Sequence, residues 1–191
     1  MKRTRCRDSH PPDASLPSSG LRLRFFLSQV QCLFRSLSYY EAAFRQVVSR
    51  NTAIERQHLT INNQVDADLM ITSDSQKLSQ IIKNLLTNAI KYNRPHGSVT
   101  IATMVSHQTW SLIVKDTGIG ISADDQQRIF ERFYRASPSR SQQLVSGTGL
   151  GLAIVQELVN AMHGTIDVVS QRGVGTTMTV TLPLAASASE Q

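Results

Sequence analysis

Gln80-Ile-Ile-Lys-Asn-Leu-Leu-Thr-Asn-Ala-Ile-Lys-Tyr-Asn93 decides how the rest of this 191-residue chain is read. Taken as a helix, it divides into two faces. Ile81, Ile82, Leu85, Leu86, Ala89 and Ile90 recur at helical spacing and form an apolar stripe. Asn84, Asn88 and Lys91 fall at i, i+4 and i+7 and stack on another face. Amide oxygens ligate hard cations and an ammonium meets phosphate oxygens, so this face suits a magnesium-bound polyphosphate. The same residues would also serve as the solvated side of an ordinary amphipathic helix.

On the N-terminal side, Ser73 or Asp74 can cap the free amides of this helix. On the C-terminal side, Pro95 disfavours helical geometry at Arg94 and Gly97 marks a turn, so the helix ends near Asn93. Upstream, Tyr39, Tyr40, Ala43, Phe44, Val47 and Val48 predict a helix over residues 38–57. The alternation in Leu59-Thr-Ile-Asn-Asn-Gln-Val65 predicts a strand, and a short strand is expected around Leu69 to Ile71. Downstream, strands are expected over 98–106 and 109–115, joined through His107 and Gln108. A short helix is expected over 124–133, an aperiodic mobile loop over 134–147 and a helix over 148–162. Strands over 165–170 and 176–182 close the pattern around the turn Gln171-Arg-Gly-Val-Gly175. Two hairpins require antiparallel pairs, which excludes a doubly wound parallel sheet. The expected class is α+β, a two-layer sandwich of one mixed sheet with its helices on one face.

Hydrophobic content of 40% and charged content of 18% fit a globular protein. Much of the net charge of +6 is local: Lys2, Arg3, Arg5, Arg7, Arg22 and Arg24 stand against only Asp8 and Asp13 in the first 24 residues. The basicity therefore gives little reason to expect nucleic-acid binding by the folded part. Residues 1–33 read as a disordered or irregular basic tail, 34–184 as the folded domain and 185–191 as a frayed end. Cys6 and Cys32 form no metal-spaced pair and read as free thiols in a reducing compartment, which points to the cytoplasm. No apolar run approaches the length of a transmembrane helix.

Three further motifs carry chemistry. Asp116-Thr-Gly-Ile-Gly-Ile121 follows a strand directly. It holds a carboxylate at a strand end, a good acceptor for an exocyclic amine such as that of adenine; it also fits a tight turn capped by Asp116. Gly147-Thr-Gly-Leu-Gly-Leu152 opens a helix and exposes amides that can bind an anion. It is neither a Walker loop nor a dinucleotide fingerprint. Between them, Ile129-Phe-Glu-Arg-Phe-Tyr-Arg135 places Phe130 and Phe133 one helical step apart, as anchors in the core. Arg132 and Arg135 are candidates to reach a terminal phosphate, or to be simply solvated.

The order of these motifs over about 75 residues closely resembles the asparagine, first glycine, phenylalanine and second glycine boxes of the ATP-binding domain of sensor histidine kinases. That domain belongs to the superfamily shared with type II topoisomerases, mismatch-repair ATPases and heat-shock chaperone ATPases. The resemblance covers residues 34–184 and implies a Bergerat-type ATP-binding fold with ATP and Mg2+ as cofactors. It implies Asn88, with Asn84 beside it, as magnesium ligands and Lys91 on phosphate. Tyr92 and Phe133 would lie near the nucleotide. Asp116 would accept the adenine amine in a pocket shaped by Gly118, Gly120 and Ile121. Gly147, Gly149 and Gly151 would cradle the phosphates, with Thr148, Leu150 and Leu152 adding backbone contacts. Asn84, Lys91 and Arg132 would assist transfer, and residues 134–147 would form the lid.

Relatives that hydrolyse ATP, and the anti-sigma serine kinases, resemble one another in carrying a glutamate at the position of Asn84, where it serves as a general base. An amide cannot take that proton, which fits the histidine kinases, whose phosphoacceptor imidazole is already nucleophilic. The family's phosphoacceptor hairpin pairs a histidine with a following acid. His10, His58, His96, His107 and His163 all lack that setting. The resemblance therefore implies a monomeric catalytic domain that donates the γ-phosphate to a histidine on a phosphotransfer and dimerisation domain in trans, and indirectly serves a response regulator. The alternatives are a non-catalytic ATP-binding regulatory module or a truncated kinase remnant.

Overall fold

The computed structural model describes residues 37–66, 69, 71–136 and 148–184. The basic tail with Cys6 and Cys32, most of the loop expected over 134–147, Gly147 and the C-terminal end lie outside these residues. In chain order the elements are α1 (Leu37–Arg50), α2 (Thr52–Gln57), β1 (Thr60–Gln64), α3 (Ser75–Lys91), β2 (Ser98–Val105), β3 (Thr109–Asp116), α4 (Ala123–Gln126), α5 (Gly151–Ala161), β4 (Thr165–Gln171) and β5 (Gly175–Pro183). The five strands form one sheet in the order β1-β2-β3-β5-β4. β1 runs parallel to β2, with α3 as the crossover between them; every other pair is antiparallel. The sheet is therefore mixed, and it contains the antiparallel pairs that the two hairpins require.

Period-2 burial shows which face of the sheet meets the helices. Val99 and Ile101 of β2, Trp110, Leu112 and Val114 of β3, and Met178, Val180 and Leu182 of β5 are all buried and in register. The intervening residues form a threonine-rich face that water reaches; there Ser111 and Thr181 share a 2.9 Å hydrogen bond. Against the apolar face lies α3, whose stripe of Leu78, Ile81, Ile82, Leu85, Leu86, Ala89 and Ile90 is entirely buried. Each of the larger of these side chains contributes about 1.5–3 kcal/mol on burial. α1 and α5 flank α3, and the Tyr40 hydroxyl of α1 donates to Asn63 Oδ1 of β1 at 2.7 Å.

Four expected elements differ from what forms. The helix expected over 38–57 breaks at Asn51, whose backbone is extended and whose side chain caps α2 by accepting from the Ala53 N–H. Leu69 and Ile71 belong to no strand, although Ile71 is buried. The helix expected over 124–133 stops at Gln126 and continues as turns. The helix expected from Thr148 starts only at Gly151, because Gly149 has a φ of +72° and cannot take a helical conformation.

Candidate functional site

A cavity of about 550 Å³ opens between α3, the ends of β3 and β5, and the start of α5. At one end is Asp116, the last residue of the central strand, flanked in register by Val99 and Thr176. Its Oδ1 accepts the Gly118 N–H at 2.8 Å and the Thr176 N–H at 3.3 Å. Its Oδ2 has no hydrogen-bond partner among the described residues. Burial pushes the Asp116 carboxyl above the ordinary carboxylate range, against the pull of those two N–H groups. A partly desolvated carboxylate with one unused oxygen is a strong acceptor for a ligand N–H.

The loop after Asp116 is pinned on two sides. The Ile119 N–H donates to Tyr92 O at 3.0 Å, at the end of α3, and Ile119 O accepts the Gly173 N–H at 2.7 Å. Gly120 has a φ of +65°, and a Cβ there would lie 2.0 Å from Gln171 O of the last hairpin. Asn93, which is buried, closes the end of α3 by donating to Ala89 O and Ser98 O. The first glycine loop is thus held between α3 and the β4–β5 turn.

At the other end of the cavity, α3 and α5 meet. Asn84, Asn88 and Lys91 line it from α3. Among the described residues the start of α5 has no side-chain cap, which leaves its first amides without a partner there. A Cβ on Gly151 would lie 3.3 Å from Asn84 Oδ1 and 4.0 Å from Asn88 Nδ2, so both amides converge on that helix start. Asn84 Nδ2 is buried and has no acceptor among the described residues. An anion at the helix start would meet the α5 amides, and the helix dipole favours it there. Among the described residues no group of three or more His, Cys, Asp or Glu side chains could hold a metal ion. A cation here would take its ligands from the amide oxygens, the anion and water, which suits Mg2+.

Of the residues expected at the site, Asn84, Asn88, Lys91, Tyr92, Asp116, Gly120, Ile121, Thr148, Gly149, Leu150, Gly151 and Leu152 line this one cavity. Lys91 Nζ lies 5.0 Å from the centre of the Tyr92 ring, and that ring is partly exposed. Gly118 stands behind Asp116, packed on Tyr92 O, and does not line the cavity. Two residues lie elsewhere than expected. Arg132 is exposed, pairs with Glu157 of α5 and does not line the cavity. Phe133 is 71% exposed and anchors nothing in the core. Its φ of +64° breaks the helical spacing from Phe130, so the two rings no longer share a face. Gly147 lies outside the described residues.

Sequence reasoning passed over Ser122, Asp125, Tyr134, Arg172 and Thr176, all of which line the cavity. Ser122 was legible as an N-cap ahead of two acidic residues. Thr176 and Arg172 had no local signal, because strand pairing alone brings them to Asp116 and Gly120.

Residues 73–186 match the family model described as histidine kinase-, DNA gyrase B- and HSP90-like ATPase. Among curated proteins, the sensor histidine kinase WalK of Bacillus subtilis is 41% identical over 140 residues, which is 72% of this chain and 23% of WalK. The sensor-like histidine kinase SenX3 of Mycolicibacterium smegmatis is 37% identical over 139 residues, 72% of this chain and 36% of SenX3. The chain therefore spans about a quarter to a third of the length of these relatives. Among solved structures, the mycobacterial sensor histidine kinase MprB superposes with a TM-score of 0.66 at 27% identity, over 77% of this chain and 94% of that one. Full-length ShkA in complex with AMPPNP superposes with a TM-score of 0.63 at 31% identity, over 78% of this chain and 31% of that one.

Proposed function

Because this chain belongs to the histidine kinase-, DNA gyrase B- and HSP90-like ATPase family, we propose that residues 34–184 bind Mg-ATP and donate its γ-phosphate to a histidine on another chain or segment. The observation that carries this reading is the convergence of Asn84 and Asn88 on the uncapped start of α5, at the opposite end of one cavity from Asp116. Asp116 Oδ2 would accept the adenine amine. The α5 amides and Lys91 would hold the phosphates. Asn88 and Asn84 would ligate Mg2+ through their oxygens, and the ion would neutralise charge that builds on the transferring group. Arg135 lines the same cavity and suits that role better than Arg132.

No carboxylate stands at position 84, so no general base faces the phosphate end from α3. That favours transfer to a nucleophile that needs none, such as an imidazole, over rapid hydrolysis. The reading gives the chain a cytoplasmic setting, a response regulator as indirect partner and a monomeric state. No helix of the described residues is long and apolar enough to cross a membrane.

The test is calorimetric titration of ATP with and without Mg2+, beside Asp116→Asn, followed by label transfer from ATP to a supplied phosphoacceptor hairpin. Magnesium-dependent binding, loss of binding in the variant and label on the hairpin histidine are expected. Binding without transfer would leave a regulatory ATP-binding module; no binding by a folded chain would remove the nucleotide reading altogether.

A further inference from the structure

At the phenylalanine box, helical spacing would put Phe133 inward, yet the backbone reverses it. Phe133 takes a left-handed conformation that is uncommon for a bulky residue. Its N–H donates to Gly149 O at 3.0 Å, which ties this step to the entry of α5. Phe133 consequently points to solvent, and of the phenylalanine-box aromatics Phe133 and Tyr134 it is Tyr134 that lines the cavity.

Tyr134 is held there from α4. Its hydroxyl donates to Asp125 Oδ1 at 2.6 Å. The Ser122 hydroxyl donates to Asp125 Oδ2 at 2.5 Å and accepts the Asp125 N–H at 3.2 Å. The Arg128 guanidinium lies 4.3 Å from the centre of the Tyr134 ring and is itself gripped by Glu131, with Nη2 to Oε2 at 3.1 Å. Both Asp125 oxygens already accept protein hydroxyls, so this carboxylate serves the wall of the cavity and not a ligand. Its hydrogen bonds hold the Asp125 carboxyl below the ordinary range, and the same bond raises the Tyr134 phenol, as expected for a phenol donating to an ionised carboxylate.

We propose that Asp125 and Tyr134 are a positioning pair for the nucleotide site, with the carboxylate fixing the Tyr134 ring against the cavity so that the ring packs on the bound nucleotide. The inference rests on the nucleotide-binding reading above. Its physical content is preorganisation: a ring already held in place has no ordering cost left when the ligand arrives.

The experiment is calorimetric titration of Mg-ATP into the full chain, for wild type, Tyr134→Phe, Asp125→Ala and the double variant. The emission of buried Trp110 checks that each variant is folded. Tyr134→Phe keeps the ring and removes only the latch, and a loss of about three- to tenfold in affinity is expected. Asp125→Ala is expected to lose a similar factor, and the double variant no more than either single one, because the two residues act as a unit. Ultraviolet titration of the tyrosines adds a spectroscopic signature: in Asp125→Ala one phenol ionises at lower pH than in wild type. Unchanged affinity in both single variants, or losses that multiply in the double, would overturn the pair. Absence of binding in folded wild type would instead overturn the nucleotide reading, and the proposal with it.

Discussion

Asn84 carries a buried donor with no acceptor among the described residues. Leaving such a group unpaired costs about 1–3 kcal/mol, so this position is maintained against stability. Asn84→Leu, which keeps the branching at Cγ and removes the orphan donor, is expected to stabilise the ligand-free chain by about 1 kcal/mol while removing Mg-ATP binding. Thermal denaturation and calorimetry on one preparation check both halves, and a destabilised variant would contradict the first. Asp116 behaves in a related way. Its folded pKa is raised, first by burial. Its contribution to stability is therefore complete below the unfolded value, about 3.9, and is lost as pH rises through the folded value. The stability of Asp116→Asn relative to wild type is expected to improve as pH rises from about 4 to about 7, followed by urea midpoints. ATP affinity of wild type should fall as pH drops through the same raised value, because a protonated carboxyl is a poorer acceptor.

Among the elements, α3 depends on its cap. Asp74 accepts the N–H groups of Gln76 at 3.1 Å and Lys77 at 3.0 Å, and its carboxyl is held below the ordinary range, first by the Lys77 side chain. Asp74→Ala is expected to cost about 1 kcal/mol, read as a lower urea midpoint with unchanged slope. Because this folded pKa is depressed, the contribution is present above about pH 3.9 and is lost as pH falls through the folded value; the variant and wild type should then converge in strong acid. The cap and stripe of α3 were legible because both are local: a side chain two or three residues from the amide it binds, and a period of 3.6. The break at Asn51 was also local, since asparagine is a favoured cap, but the apolar spacing ran across it and masked it. The early end of α4 was not legible. Apolar spacing continues through Phe130 and Phe133 and gives no sign of the stop at Gln126, nor of the left-handed step at Phe133, whose N–H is taken by Gly149 O.

Across the whole molecule, the cavity joins side chains from α3, β3, β5 and α5, which lie far apart along the chain. A ligand that spans it ties these elements together. Mg-ATP at a hundredfold excess over its dissociation constant is expected to stabilise the chain by about 2.7 kcal/mol, a rise in thermal midpoint of roughly 5–10 °C. Asp116→Asn should show no such rise, and scanning both with and without nucleotide decides it. The sequence by itself determined the α+β class, the buried stripe of α3 and the order of the boxes, because periodicity, caps and glycine turns act over a few residues. Tertiary structure alone decided that Arg135 and Arg172 line the cavity while Arg132 does not, and that Tyr134 lines it while Phe133 is exposed. Arg132 is drawn away by Glu157, and Tyr134 is drawn in by Asp125. Tertiary structure also brought the Thr176 N–H to Asp116, 60 positions away. Such contacts join residues with no common local period, so only the packed chain can specify them.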